Sequence, residues 1–255
     1  MADYLQILKE MRPVTLEEMD GVRLMNRIDT KFTTSVRMLP LLLERMKSRY
    51  RVQVVGEEVV NHYATLYYDT EDVQMYVQHH NRKLCRQKVR VRHYFLTGQY
   101  VLEIKNKTNK GRTKKKRIDI DPDFFERVTE DERNVPFLKE KVWVDYTTLL
   151  PQVANDFKRI SLVDNNFKER ITIDFDIKFQ NRQTGVESEM PNLMIIELKQ
   201  DGSYYSYLRE LLREFRIKPM GISKYCIGTV LTNDKVKRNR FNNKFRRLTN
   251  KILNN

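Results

Sequence analysis

The sequence predicts an α+β fold in which helices flank an antiparallel β-sheet or barrel. Three observations predict it: long runs of alternating apolar and polar residues, short turn signals such as "TGQ" and "TNKGR" between consecutive runs, and helical spacing of apolar residues near both ends. Short turns join antiparallel neighbours, whereas parallel strands need long crossover connections. No linker rich in Gly, Pro or Ser interrupts the pattern, so we expect one domain over residues 1–255.

The first elements follow from capping residues and periodicity. Residues 3–25 are expected to form one or two short helices, because Thr15 and Glu18 have the spacing of a capping box. A strand is expected in residues 26–34. Ser35 then caps a helix whose leucines and methionine recur on one face.

The rest of the chain is expected to be mostly strand. Alternation predicts five successive strands between residues 51 and 121, and a helical segment over residues 123–154 follows, where Trp143, Tyr146, Leu149 and Leu150 have helical spacing. Further strands are expected at 156–163, 169–179 and 193–200, followed by a helix over 204–217.

Cations recur on one face of these strands. In "KVRVRHYF", Lys88, Arg90 and Arg92 share a face because side chains alternate along a strand. In "ERITIDFDIKF" the alternation places Asp174 and Asp176 on one face, opposite the isoleucines. The same parity adds to the charged face the residues Lys31, Glu103, Lys105, Lys115, Arg117, Arg159, Arg170, Glu197 and Lys199.

Two environments suit such charged rows. A sheet with one wet face would place them in solvent. If the sheet closes into a small barrel, they point into its lumen, where crowded cations lose hydration and repel one another unless a counter-charge is present. A polyanion supplies that charge, since Arg binds phosphate oxygens in bidentate geometry and Lys acts as a point charge.

The motifs also indicate how phosphates would be held. The sequence has neither "GxxxxGK[ST]" nor "GxGxxG", so side chains rather than a glycine-rich backbone loop must bind them. Glu103 and Glu197 each share a face with a nearby lysine, Lys105 or Lys199. Carboxylates among phosphate-binding cations suit Mg²⁺ or Mn²⁺, and a cross-strand ion pair is the alternative for each.

The net charge of +14 is unevenly distributed. Residues 232–255 contain eight Lys or Arg and one Asp, which is half of the excess. Phe241, Phe245, Leu248 and Ile252 recur there at helical spacing, so a basic C-terminal helix is expected. It is either a surface helix docked by its apolar stripe or a segment attracted to an anionic membrane, polyphosphate or nucleic acid.

Two separated cysteines and the lack of a long apolar stretch favour a cytoplasmic protein. The basic C-terminal helix makes association with a membrane partner at the inner face of the membrane an additional hypothesis.

Eight short motifs resemble those of one known family. In chain order they are "RIDTKF", "KVRVR", "LEIKNK", "RTKKKRI", "FKRISL", "ERITIDFD", "IIELK" and "SKY". Together they resemble the VTC domain, the polyphosphate polymerase branch of the CYTH-like triphosphate tunnel enzymes, from Asn26 to Gly228. The resemblance implies a closed antiparallel β-barrel, a tunnel with a charged lumen, with its core over residues 26–230.

The resemblance also implies an activity. That activity is the metal-dependent transfer of the γ-phosphate of ATP onto a polyphosphate chain, with Mn²⁺ or Mg²⁺ as cofactor and ATP with polyphosphate or pyrophosphate as partners. A triphosphatase of the same superfamily is the alternative enzyme. A module that binds polyphosphate or inositol phosphates without turnover is the non-enzymatic alternative. No sequence-specific nucleic acid is expected as a partner.

Residue roles are carried over from the same motifs. The catalytic residues implied by the resemblance are Lys31, Arg90, Arg92, Lys105, Arg159, Arg170 and Lys199. The implied phosphate-binding residues are Lys88, Lys115, Arg117, Ser223 and Lys224, and the implied metal ligands are Glu197 and Glu103.

The sequence departs from the family pattern at three positions. Phe157 stands where the motif often has a tyrosine, and Gly221 replaces a basic residue expected just before "ISKY", a loss for which Lys218 could substitute. Asp29 takes the place of a glutamate in the "ExExK" opening of the wider superfamily, which makes a plain triphosphatase less expected than a VTC-type enzyme.

Overall fold

The computed structural model describes residues 3–20, 27–202 and 204–253. Its helices are α1 (Tyr4–Glu10), α2 (Leu16–Asp20), α3 (Leu39–Met46), α4 (Gln74–His80), α5 (Val135–Lys141), α6 (Tyr207–Glu214), α7 (Lys224–Thr232) and α8 (Asn239–Leu253). Its strands are β1 (Arg12–Val14), β2 (Arg27–Ser35), β3 (Tyr50–Gln53), β4 (Asn61–Asp69), β5 (Arg86–Tyr94), β6 (Gln99–Lys107), β7 (Thr113–Asp119), β8 (Leu150–Asp164), β9 (Glu169–Asn181), β10 (Glu187–Met190) and β11 (Leu193–Asp201).

The strands form one large, mainly antiparallel sheet. Its main path runs β2–β11–β9–β8–β4–β5–β6–β7, while β10 extends β9, and β3 pairs with both β8 and β1. The short parallel pair of β1 and β3 is the exception to the antiparallel pattern. The structure therefore confirms a mixed fold with a large antiparallel sheet and flanking helices.

Hydrogen bonds do not close the sheet in the part of the chain that the structure describes, so the predicted closed barrel is not confirmed. One end strand of the sheet is β2, and its outer edge is covered by the segment before α7. The N–H of Met220 donates to the carbonyl of Lys31 at 2.8 Å, and Pro219 pairs with Phe32. The other end strand, β7, is largely exposed and carries consecutive cations from Lys114 to Arg117. Charged edge strands resist further pairing.

The two faces of the sheet bury different clusters. One half of the convex face packs against α1, α3 and α6 through apolar residues such as Ile160, Ile173 and Ile196. The other half forms a second apolar cluster around Val91 and Leu102. The concave face is apolar only at one end, where α7 packs against Val153 and Phe179. Because α7 fills that end, the charged half of the concave face borders open space.

A β-bulge changes the predicted parity of β9. The β8–β9 register shifts between Asp156 and Lys158, and Asp176 has a φ of 53°, in the left-handed region. Asp174 therefore faces inward as predicted, but Asp176 pairs with Lys158 at a more exposed position, and Ile177 joins the inner cluster around α7. The prediction that both aspartates share one face was wrong, because simple alternation ends at a bulge.

Most predicted elements are present, but several differ, and the short strands β1 and β10 were not expected. The region 123–154 holds only the short α5 and single 3₁₀ turns, and Leu150 already belongs to β8, so the long helical segment was wrong. The sequence reading missed α4 and α7. The C-terminal helix begins at Asn239, later than predicted, and residues 21–26 and 254–255 of the predicted elements lie outside the described residues.

The start of α4 is capped by residues upstream of its N-cap, since Val73 at the N-cap makes no side-chain cap hydrogen bond, and this explains why α4 was missed. The buried carboxylate of Asp69 accepts the N–H groups of Met75 and Tyr76, and the hydroxyl of Thr70 accepts the N–H of Gln74. These acceptors satisfy the free donors of the first turn.

None of the helices in the described ranges has the length and apolarity needed to cross a membrane.

Candidate functional site

The concave face of the sheet lines a cavity of about 1760 Å³. All fourteen site residues predicted from the sequence lie in its lining, on β2, β5, β6, β7, β8, β9, β11 and the start of α7. The structure thus brings together residues that are up to 193 positions apart, from Lys31 to Lys224. Their roles in binding and catalysis remain predictions.

One wall of the cavity combines a carboxylate with two lysines. Glu197 on β11 lies directly opposite Lys31 on β2 and forms an ion pair with it, while the Nζ of Lys199 lies 4.0 Å from the other carboxylate oxygen. Burial would raise the pKa of Glu197, but Lys199 and Lys31 hold it below its usual range. Glu197 therefore stays ionised, and 20% of its side chain is exposed, on the side of the cavity.

Asp174 is the centre of a second charged group. Its Oδ1 accepts from the Nε of Arg159 at 2.5 Å, its Oδ2 accepts from the Nη2 of Arg159 at 2.8 Å, and Lys224 binds the same Oδ2. Burial acts to raise the pKa of Asp174, but Arg159 and Lys224 outweigh it and lower the pKa. Two cations share one carboxylate, which leaves the group with net positive charge.

The opposite wall is a cross-strand block of cations. Lys88, Lys105 and Lys115 lie side by side on β5, β6 and β7. Like charges directly opposite one another destabilise a sheet. Arg90 and burial lower the pKa of Lys105 well below its usual value, and burial lowers the pKa of Lys88. An anion bound in the cavity would relieve the repulsion between these lysines.

Glu103 anchors the same wall. Its Oε2 accepts from the Nε of Arg90 at 2.6 Å, and its Oε1 accepts from the Nζ of Lys115 at 3.1 Å. Burial alone would raise the pKa of Glu103, but the surrounding cations, Arg90 foremost, lower it. Because both carboxylate oxygens are engaged and the residue is 1% exposed, the geometry fits an anchor for cations better than a metal ligand.

The start of α7 closes the site. Ser223 caps the helix by accepting the N–H of Cys226, and its hydroxyl also accepts from the Nζ of Lys88 at 2.9 Å. This contact joins α7 to β5 and brings Lys224 into the cavity. The predicted "SKY" segment therefore meets the strand motifs because α7 packs inside the curved sheet.

Arg92 lies among aromatic rings rather than carboxylates. Its guanidinium is 5.5 Å from the ring centre of Tyr63 and 5.9 Å from that of Phe157, and its Nε donates to the hydroxyl of Thr65 at 3.1 Å. The Nζ of Lys224 lies 3.7 Å from the ring centre of Phe157. The ring face at Phe157 thus supports the cations of the site although it lacks a hydroxyl.

We expect Arg92→Gln to weaken binding of tripolyphosphate about 10-fold or more, because a charge-assisted hydrogen bond is lost. The free energy of unfolding should stay the same or rise, since burial and Arg90 already lower the pKa of Arg92 and its removal relieves repulsion. Calorimetric titration and thermal unfolding measure the two effects. Arg90→Gln is the matched comparison: it should also lower stability, because the buried Glu103 would keep only Lys115. Equal stability losses in both variants would contradict the different roles assigned to Arg90, which pairs with Glu103, and Arg92, which does not.

Among the cavity residues outside the predicted set, three have a distinctive environment. Asp174 was recognised only as part of a polar row, and its parity was the signal that could have identified it. Asn61, 5% exposed, and Thr172 each have a buried side-chain atom, Nδ2 and Oγ1, that finds no hydrogen-bond partner in the described part of the chain. Such groups fit contacts to a bound ligand or water.

The position of Gly221 is also informative. Lys218, the proposed substitute for the missing basic residue, does not line the cavity as described. The Nζ of Lys244 on α8 instead donates to the carbonyl of Gly221 at 2.7 Å. A cation from the C-terminal helix therefore lies at the segment that leads into "ISKY".

The donor set limits how a metal could bind. The described residues contain no group of three or more His, Cys, Asp and Glu side chains that could hold an ion. Mg²⁺ commonly uses one or two carboxylates and completes its shell with water and substrate phosphates. Glu197 fits that mode, because its ionised carboxylate faces the cavity beside cations that are predicted to bind phosphate.

A curved antiparallel sheet around a cationic cavity is an arrangement that other solved structures also have. Two solved structures share this fold: a protein from Bacillus halodurans proposed to be an adenylate cyclase (14% identity, 78% of this chain and 94% of that chain, TM-score 0.51), and one from Hippeastrum described as a proposed adenylyl cyclase with a dominant triphosphatase activity (16% identity, 81% and 96%, TM-score 0.50). At these identities the similarity shows the fold alone. No curated protein sequence matches the chain.

The family follows from the sequence itself. The model of the VTC domain matches residues 26–233, most of the chain, and the protein belongs to the VTC domain family. This confirms the resemblance inferred from the eight motifs and supports a phosphotransfer or triphosphate-related function.

Proposed function

We propose that the protein is a metal-dependent phosphotransferase that moves the γ-phosphate of ATP onto a polyphosphate chain. The observation that carries the proposal is the row of Lys88, Lys105 and Lys115 beside Arg90 and Arg92. These cations lie at successive positions along the cavity wall. A chain whose charge repeats regularly fits such an arrangement better than a single small anion does.

Phosphoryl transfer needs positioning and neutralisation of charge more than covalent chemistry from the protein. An oxygen of the terminal phosphate of the chain attacks the γ-phosphorus of ATP, the bond from that phosphorus to the β-phosphate oxygen breaks, and ADP leaves. Lys31, Arg159 and Lys224 would bind the transferring phosphate, with Arg170, Lys199 and Ser223 beside them. Lys115 and Arg117, which are exposed on the edge strand β7, would hold the outer part of the chain.

The metal would be held by Glu197 together with substrate phosphates. Bound there, Mn²⁺ or Mg²⁺ would neutralise charge on the phosphate oxygens and orient them. The second predicted ligand, Glu103, would instead keep Arg90 and Lys115 in place, as its hydrogen bonds favour.

The direct test is to incubate the purified protein with ATP, Mn²⁺ or Mg²⁺ and a pyrophosphate primer, and to resolve the phosphate products by length. Long chains are expected. Orthophosphate as the sole product would support the triphosphatase, a candidate favoured by the activity described for the Hippeastrum protein of the same fold. Tight polyphosphate binding without turnover would overturn both enzymatic functions and leave the binding module.

Anion binding should weaken as the pH rises through neutrality. Burial lowers the pKa of Lys224 to about 7 against the opposing effect of Asp174, so the side chain loses its charge near that pH in the free protein. The protonated form binds phosphate, and therefore affinity for tripolyphosphate should fall from pH 6 to pH 9. Lys224→Arg, whose charge persists over this range, should flatten the profile. An unchanged profile in this variant would assign the pH dependence to another group.

A further inference from the structure

The exposed face of α8 and the segment before it carries an unneutralised positive charge. The exposed cations are Lys235, Lys237, Arg238, Arg240, Arg246 and Arg247. None of them forms an ion pair with any residue in the described ranges, and Asp234 is the one acidic residue between positions 232 and 255. Some other surface cations are paired, as Arg45 is with Glu214. This charge is available to a partner.

The packing of α8 argues against insertion into a membrane. Phe241, Phe245 and Leu248 form its apolar stripe, and they pack against Cys226 and Ile227 of α7. Leu248 is 1% exposed. A helix that binds in the plane of a membrane buries its apolar face among lipids, and here that face is already buried in the protein.

The basic face is close to the rim of the cavity. The N–H of Arg240 faces the Nε2 of His80 at 3.4 Å, and the neighbouring His79 lines the cavity. Farther along α8, Lys244 holds the carbonyl of Gly221, directly before Ile222 and Ser223 in the cavity lining. Two contacts therefore connect α8 to the part of the rim formed by α4 and the start of α7.

We propose that the exposed cations of α8 form a second polyanion-binding surface, which holds the part of a long polyphosphate chain that extends beyond the cavity. This inference rests on the proposed function. The helix lies outside the residues matched by the family model, which end at 233. The surface would increase affinity for long chains by multiple weak contacts, while short chains that fit inside the cavity would not reach it.

The test compares chains of two lengths on a charge variant of α8. The variant combines Arg240→Gln, Arg246→Gln and Arg247→Gln. All three arginines are exposed, and glutamine is a good helix former. The matched control removes the same charge from exposed residues on α1, β1 and α6 that do not line the cavity: Lys9→Gln, Arg12→Gln and Arg213→Gln. Calorimetric titration with tripolyphosphate and with long-chain polyphosphate is run at several salt concentrations, and thermal unfolding checks that each variant is folded.

We expect the α8 variant to lose about 10-fold in affinity for long-chain polyphosphate and to lower the salt slope of binding by about 2. Affinity for tripolyphosphate, and both affinities of the control, should not change. Equal long-chain affinity in the wild type and the α8 variant would overturn the inference while leaving the proposed function standing. A wild-type protein that binds neither polyanion would overturn both.

Vesicles containing phosphatidylserine provide the remaining comparison. Wild-type binding to these vesicles that the α8 variant loses, with long-chain polyphosphate affinity unchanged, would assign the surface to a membrane and overturn the proposal. Absence of vesicle binding together with a long-chain defect would support it.

Discussion

Glu197→Gln is expected to lower the rate of phosphate transfer about 10²- to 10³-fold, the usual size of losing one electrostatic contribution to a transition state. The substitution keeps the shape of the side chain but removes the carboxylate that would hold the metal and that pairs with Lys31. The product-length assay with ATP and Mn²⁺ measures the rate. Affinity for tripolyphosphate in the absence of metal should be retained or increase, because a negative charge has left a cationic cavity.

Glu189→Gln is the matched control for this prediction. Glu189 is an exposed carboxylate on β10 and does not line the cavity, so its replacement should leave transfer unchanged. A normal transfer rate in the Glu197→Gln variant would show that this carboxylate does not hold the metal. Loss of tripolyphosphate binding in the same variant would indicate a structural role instead.

Asp174→Asn is expected to lower the free energy of unfolding by about 3–5 kcal/mol, because removal of one partner leaves buried charges uncompensated. Arg159 and Lys224 are 15% and 12% exposed and both depend on Asp174 for their ion pairs. Chemical denaturation measures the loss. Tripolyphosphate should restore part of it, since an anion that binds the native state stabilises it.

The neighbouring Asp176→Asn provides the control on the same strand. The pair of Asp176 with Lys158 is more exposed, at 36% and 48%, so the expected loss is about 0–1 kcal/mol. Asparagine also tolerates the left-handed backbone at this position. Equal losses in the two variants would contradict the assignment of Asp174 as the buried centre of the site.

The pH dependence of Asp174 has a defined sign. Its cations lower its pKa below the ordinary value of 3.8, so its contribution to stability is present above that pH and is lost as the pH falls further. The Asp174→Asn variant should lack this acid-dependent component. Comparison of wild type and variant between pH 5 and pH 3 by denaturation isolates it.

Local sequence was sufficient for much of the strand content and for the strand cations that line the cavity. Alternation in "KVRVRHYF" and "VLEIKNK" placed Arg90 and Lys105 on one face, and the sheet keeps that arrangement. The predicted cap Ser35 lies one turn before α3: its hydroxyl accepts the N–H of Arg37 and caps the 3₁₀ turn Val36–Met38 that leads into the helix. These signals depend on neighbours in the chain and can therefore be recognised without knowledge of the tertiary structure.

Other features could not be predicted from the same patterns. The start of α4 is stabilised by Asp69, which also accepts a hydrogen bond from Tyr225 on α7, and that contact spans 156 positions. The region after residue 122 contains aromatic residues at helical spacing, but Trp143 is 52% exposed and follows the end of α5. Periodicity does not show whether a face has anything to pack against.

Along an uninterrupted strand, local sequence shows which charged side chains share a face, because the two-residue period is a property of the backbone. The tertiary structure decided which of those charges meet. The bulge near Asp156 separates Asp176 from Asp174, Met220 occupies the edge of β2, and α7 brings Lys224 to Asp174. Register, edge pairing and helix packing depend on contacts between distant segments, and no local pattern encodes them alone.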